Sequence, residues 1–155
     1  KISDINQDNR FETKEFYRDG VLESINYDGN NNGIYEFKIE KDIKYWDMNE
    51  DGIYDFREWT DKENNMRYSE FSTKLDGNFN FTARYSGSRL IDVKKEGIWT
   101  GVSYDSENNL FWIGEKCSGL PAEINIETEG TINCGDRMVY IVKIGQDYFA
   151  EVVTR

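Results

Sequence analysis

Apolar and polar residues alternate at a period of two along much of the chain, the mark of strands with one buried face. Tyr35, Phe37 and Ile39 alternate with Glu36, Lys38 and Glu40, and Lys41-Asp42 turns the chain into Ile43-Lys44-Tyr45-Trp46. Upstream, Phe16-Tyr17 and Val21-Leu22 flank Arg18-Asp19-Gly20, a tight turn in which Gly supplies a positive φ. Downstream, Leu110-Phe111-Trp112-Ile113 is a short buried run, and Ile98-Trp99, Val102 and Tyr104 mark another strand. Met138–Ile144 and Tyr148–Val153, joined by Gly145-Gln146-Asp147, form a strong hairpin pattern. Ser118-Gly119-Leu120-Pro121 reads as a loop. No segment carries a 3.6-residue apolar stripe bounded by caps. The pattern predicts an all-β fold: an antiparallel meander of hairpins over residues 1–70, then a second antiparallel β region over 71–155. The border, near Leu75-Asp76-Gly77-Asn78, has no linker composition, so the two parts can form one continuous domain.

The hairpins of the first part are interrupted by a repeat. Asp4-Ile5-Asn6-Gln7-Asp8-Asn9-Arg10-Phe11-Glu12, Asp28-Gly29-Asn30-Asn31-Asn32-Gly33-Ile34-Tyr35-Glu36 and Asp47-Met48-Asn49-Glu50-Asp51-Gly52-Ile53-Tyr54-Asp55 align without gaps as D-x-N-x-[DN]-[GN]-x-[FY]-[DE]. The starts lie 24 and then 19 residues apart, so loop length is fixed while the connections vary. Plain turns at one end of the meander would alternate with these acidic loops at the other. A fainter fourth copy starts at Asp61, with Glu63, Asn65 and Tyr68 in phase, but Met66 stands where Gly is wanted and Ser69 where an acid is wanted.

A hard cation such as calcium takes six to eight oxygens. Side chains at positions one, three and five of a tight loop converge on one point, position six turns sharply, position seven offers its carbonyl, and an acid at position nine closes the shell. The expected ligands are Asp4, Asn6, Asp8, Arg10 (carbonyl) and Glu12 in the first loop. They are Asp28, Asn30, Asn32, Ile34 (carbonyl) and Glu36 in the second, and Asp47, Asn49, Asp51, Ile53 (carbonyl) and Asp55 in the third. The aromatic at position eight (Phe11, Tyr35, Tyr54) is expected to begin the outgoing strand and point to the core. Carboxylate count tunes affinity, so the second loop, with two acids, ranks weakest and the third strongest. Asp, Asn and Gly also favour ordinary turns; three copies in phase, each ending in an acid after an aromatic, favour the metal.

This spacing resembles the D-x-D-x-D-G-x-x-D calcium loops in β-hairpins of integrin-α-type propeller repeats, and the tandem D-x-[DN]-x-D-G repeats of bacterial exported and surface proteins. It shares the first part of the EF-hand loop, but position twelve is Glu15, Ile39 or Glu58 and the flanks are strand-like. The resemblance covers residues 4–55 and implies calcium in a β-hairpin setting, with no catalytic chemistry.

Charge and composition narrow the remaining classes. Of 19 basic and 30 acidic residues, 10 and 18 lie in residues 1–70, within a net charge of −11. Such a surface disfavours a nucleic-acid backbone and an anionic membrane, and no apolar run is long enough for membrane insertion by a helix. Histidine is absent, which removes Ser-His and Cys-His nucleophile schemes and His-containing zinc sites. No motif singles out a catalytic acid pair, so no enzyme is expected. Cys117 and Cys134 are expected to form a disulfide in an oxidising compartment. The Lys/Asn/Ile-rich composition and the start at Lys1 lead to the expectation of the mature part of an exported or cell-surface bacterial protein. Its partners would be calcium and a protein or glycan surface. Trp46, Trp59, Trp99 and Trp112 supply the alternative of a carbohydrate-binding β-module with structural calcium.

Overall fold

In the computed structural model, which describes residues 1–117, 130–144 and 147–153, the fold is all-β and mostly antiparallel. The chain divides into two compact units, Lys1–Arg89 and Leu90–Arg155. The segment around Asp76-Gly77 lies inside the first unit.

The first unit is a meander of β1 (Ile2–Ser3), β2 (Thr13–Arg18), β3 (Val21–Tyr27), β4 (Phe37–Glu40), β5 (Ile43–Trp46), β6 (Phe56–Asp61), β7 (Met66–Phe71) and β8 (Phe81–Ser86), each paired antiparallel with the next in sequence. Asp19-Gly20 and Lys41-Asp42 close two-residue hairpins with both residues at positive φ, the geometry that matches strand twist. The other ends of the hairpins carry the acidic loops.

Register sets up one continuous row across the sheet: Ser3, Thr13, Tyr27, Phe37, Trp46, Phe56, Phe71 and Phe81 lie opposite one another in turn. These residues immediately precede or follow the nine-residue loops. Phe37 and Trp46, and Trp46 and Phe56, meet at 5.1 Å between ring centroids, and Phe56 reaches Phe71 at 6.4 Å. Cross-strand aromatic pairs of this kind stabilise a sheet locally. The row is exposed at Tyr27 and buried at Phe71 and Phe81. The position-eight aromatics sit inside the loops, before the strands begin; Phe11 is exposed and Tyr35 and Tyr54 are half-buried, as are Phe37 and Phe56 at position ten.

The second unit contains β9 (Arg89–Lys95), β10 (Ile98–Asp105), β11 (Leu110–Ile113), β12 (Gly130–Cys134), β13 (Arg137–Ile144) and β14 (Asp147–Val153) in the order β9-β10-β11-β14-β13-β12. β10 changes partner midway: Ile98–Gly101 pairs with β9 and Val102–Asp105 with β11. β11 and β14 run parallel. The buried cluster is Leu110, Trp112, Cys117, Cys134, Val139, Ile141 and Ala150, and Cys117 is bonded to Cys134 as expected. The expected Ser118–Pro121 loop and the Gly145-Gln146 turn lie outside the described residues.

Asp105 is buried beside that cluster. It accepts Trp112 Nε1–H at 3.1 Å and Asn108 Nδ2–H at 3.0 Å, and pairs with Lys116 Nζ at 2.9 Å. These bonds, led by Asn108, hold its carboxyl far below the ordinary range against the opposing effect of burial. Asp105→Ala leaves a buried indole N–H without a partner and is expected to cost roughly 2–4 kcal/mol, read from chemical denaturation. Because the folded value is depressed, Asp105's stabilisation is complete at neutral pH and declines as pH falls below about 4. In the wild type, stability should therefore fall with acid more steeply than in Asp105→Ala; parallel curves would contradict this.

Candidate metal centre

Each acidic loop is built on the same backbone path. Position four adopts a positive φ in Gln7, Asn31 and Glu50, and position six does so in Asn9, Gly33 and Gly52. The first Asp fixes that path: one carboxylate oxygen accepts the position-five N–H at 3.2–3.3 Å (Asp4 from Asp8, Asp28 from Asn32, Asp47 from Asp51). The other oxygen accepts the position-six N–H, at 2.8 Å from Asn9, 2.8 Å from Gly33 and 2.7 Å from Gly52. Position five then takes the N–H of position seven: Asp8 from Arg10, Asn32 from Ile34, Asp51 from Ile53. Position nine reaches back to position two, Glu12 to Ile5 N–H at 2.7 Å and Glu36 to Gly29 N–H at 2.5 Å.

Successive loops are tied together. The position-nine carbonyl of one accepts the first N–H of the next, Glu12 from Asp28 at 2.7 Å and Glu36 from Asp47 at 2.8 Å. The same bond, from Ser72 N–H to Asp55 carbonyl at 2.7 Å, exposes a fourth copy that the sequence reading missed: Ser72-Thr73-Lys74-Leu75-Asp76-Gly77-Asn78-Phe79-Asn80. Leu75 and Gly77 have the positive φ of positions four and six. Asp76 accepts Asn78 N–H, Asn80 accepts Thr73 N–H, and Ser72 Oγ accepts Asp76 N–H. Serine has one side-chain oxygen where Asp has two. The Gly77 N–H turns instead to Asp55 Oδ1 of the third loop, at 3.3 Å.

The copy expected at Asp61 is a plain turn. Asp61 accepts Glu63 N–H, Asn64 N–H and Asn64 Nδ2–H, an Asx turn between β6 and β7. Asp105 makes the same three bonds in the turn Ser106–Asn109.

Burial separates these loops from ordinary turns. Among the described residues up to position 70, those buried are Glu12, Asp28, Asp47, Asp55 and Ser69, with no apolar side chain among them. Asp28 is 3 %, Asp47 5 % and Asp55 0 % exposed. The ion pairs of the described residues reach none of these four acids. Two carboxylate oxygens, Glu36 Oε2 and Asp55 Oδ2, are buried with no hydrogen-bond partner. Burial raises the Asp55 pKa above its ordinary value, against the N–H groups of Gly77 and Met48. At Glu12 the balance goes the other way: the Ile5 N–H bond outweighs burial and lowers its pKa.

In the first loop, Asp4, Asp8 and Glu12 each present an oxygen within 4.8 Å of the others, while Asn6 donates its amide to Asp8. In the third, Asn49 donates to Asp51 at 3.0 Å. In the second, Asn30 and Asn32 turn their amides away to Glu50. An all-oxygen set of carboxylates and amides with two orphaned oxygens fits a hard dication; it offers no soft ligand for a transition metal. Comparison with protein-family models, curated proteins and solved structures finds no match.

Glycine at position 77 meets two constraints. Its φ is +74°, and an added Cβ would lie 2.5 Å from Ile53 Cγ2; at Gly52, with φ +90°, an added Cβ meets nothing. Gly52→Ala should cost roughly 1–2 kcal/mol from backbone strain alone, and Gly77→Ala measurably more. Equal losses in denaturation would contradict the packing of the fourth loop on the third.

Proposed function

We propose that the loops at 4–12, 28–36 and 47–55 bind calcium, and that the first unit is a calcium-stiffened β-array. The observation that carries this reading is Asp55, a fully buried carboxylate with one oxygen unpartnered and no ion pair among the described residues. An isolated buried charge is strongly unfavourable unless something compensates it. A dication in the cage reverses the sign of the repulsion among Asp47, Asp51 and Asp55 and supplies the missing partner for Oδ2. Magnesium fits less well, since it retains waters and demands a compact octahedron.

The chain then serves as a non-catalytic structural or adhesive module of an exported or cell-surface bacterial protein. Extracellular calcium suffices for sites of modest affinity, and the Cys117–Cys134 disulfide suits an oxidising compartment. Phe16, Tyr17, Val21 and Leu22 stand exposed on the first hairpin, and such surfaces meet protein partners.

Calcium should raise the melting temperature and EDTA should lower it. At calcium a hundredfold above the dissociation constant, each filled site adds about 2.7 kcal/mol. Asp55→Asn should invert the effect: in EDTA it melts at or above wild type, because a buried charge is gone, and in calcium it melts below. A melting temperature blind to calcium, or Asp55→Asn destabilised equally in both buffers, would contradict the reading.

A further inference from the structure

The loops differ in how many carboxylates their own nine residues supply. The first has Asp4, Asp8 and Glu12, and the third has Asp47, Asp51 and Asp55, but the second has Asp28 and Glu36 alone, with Asn at positions three and five. The structure brings a third carboxylate to the second loop from outside it. Glu50, at position four of the third loop, accepts Asn30 Nδ2–H at 2.9 Å and Asn32 Nδ2–H at 2.6 Å through its Oε2. It touches the side chains of positions three and five, where the other two loops place ligands. Position four of the second loop makes the corresponding reach into the first, where Asn31 donates to Asp8 Oδ2 at 2.9 Å and Glu12 Oε1 at 3.3 Å. Reaching back from position four is thus shared by the second and third loops. The residue carried there is an amide where the receiving loop already has three acids and an acid where it has two.

We infer that Glu50 supplies the third carboxylate of the second calcium site, which makes that site a product of two loops. The inference rests on the calcium reading above. Two carboxylate oxygens without a hydrogen-bond partner, one on each of the two loops, support it. Glu36 Oε2 is buried and unpartnered on the second loop, and Asp55 Oδ2, on a fully buried residue, marks the third, whose ligands Asn49 and Asp51 flank Glu50 in sequence. Glu50 holds a left-handed backbone, φ +58°, between those two residues. Filling the third site fixes that backbone and delivers the carboxylate to the second, so the two sites fill with positive coupling. The second site is then no longer the weakest by charge count.

Calorimetric titration of the full chain with calcium chloride tests this, using Glu50→Gln and the double variant Asn32→Asp/Glu50→Gln. Gln keeps an acceptor for both Asn amides and removes the charge. Wild type should show three sites. In Glu50→Gln one of them should weaken by roughly tenfold or more, with the melting temperature in EDTA unchanged. Asn32→Asp restores a third carboxylate at the position the other loops use and should recover the lost affinity. Three sites of unchanged affinity in Glu50→Gln would overturn the inference and leave the calcium reading standing. A loss that Asn32→Asp does not recover would overturn it as well, by reducing Glu50 to a strut. No calcium uptake by wild type would remove the calcium reading itself.

Discussion

The first unit is governed by buried negative charge without a protein counter-charge. Glu12, Asp28, Asp47 and Asp55 are the residues that the sheet's loop edge removes from water, and no apolar side chain up to position 70 is buried with them. A hydrophobic core normally compensates the entropy of ordering a chain. Here the ordering of residues 4–55 rests on cross-strand aromatic contacts and on the loops, which gather like charges whose repulsion a bound cation would offset. The backbone N–H groups that converge on the first Asp of each loop offset part of that repulsion. They leave Asp55 Oδ2 and Glu36 Oε2 with nothing.

The loops are chained as well as repeated. Each hands its position-nine carbonyl to the first N–H of the next, and the flanking residues lock into one row from Ser3 to Phe81. A cation bound in one loop would therefore constrain its neighbour through a bond of main chain to main chain. The fourth loop has the same backbone with Ser72 and Asn80 in place of acids and Lys74 in place of Asn. It ends the array as a copy with one acid, Asp76, balanced by Lys74, and donates Gly77 N–H to Asp55. Terminal repeats that depart from the consensus are common in arrays whose neighbours bury each other.

Much of this was legible in the sequence because it is local. Period-two alternation and Asp-Gly or Lys-Asp turns located β2 to β5, β13 and β14, and the spacing of Asp, Asn and aromatic residues located three loops. The fourth was hidden because its backbone survives while the acids at positions one and nine do not; only Asp76-Gly77 and Phe79 remain in phase. Asp61 misled for the opposite reason: an Asx turn uses the same residue types, and Asp105-Ser106-Glu107-Asn108-Asn109 repeats it nearly letter for letter. The parallel pairing of β11 with β14 joins segments almost forty residues apart and leaves no local trace. Glu50 sits at one of the variable positions of the motif, so its reach into the neighbouring loop appears only once the loops are stacked.

The proposed cages for a hard dication are the loop tips themselves. The most direct measurement is an anomalous difference map from a crystal grown in calcium. The account predicts one peak enclosed by each of residues 4–12, 28–36 and 47–55, with Asp55 Oδ2 on the third, and no peak at 72–80. Ordered loops with water alone between their carboxylates would contradict it.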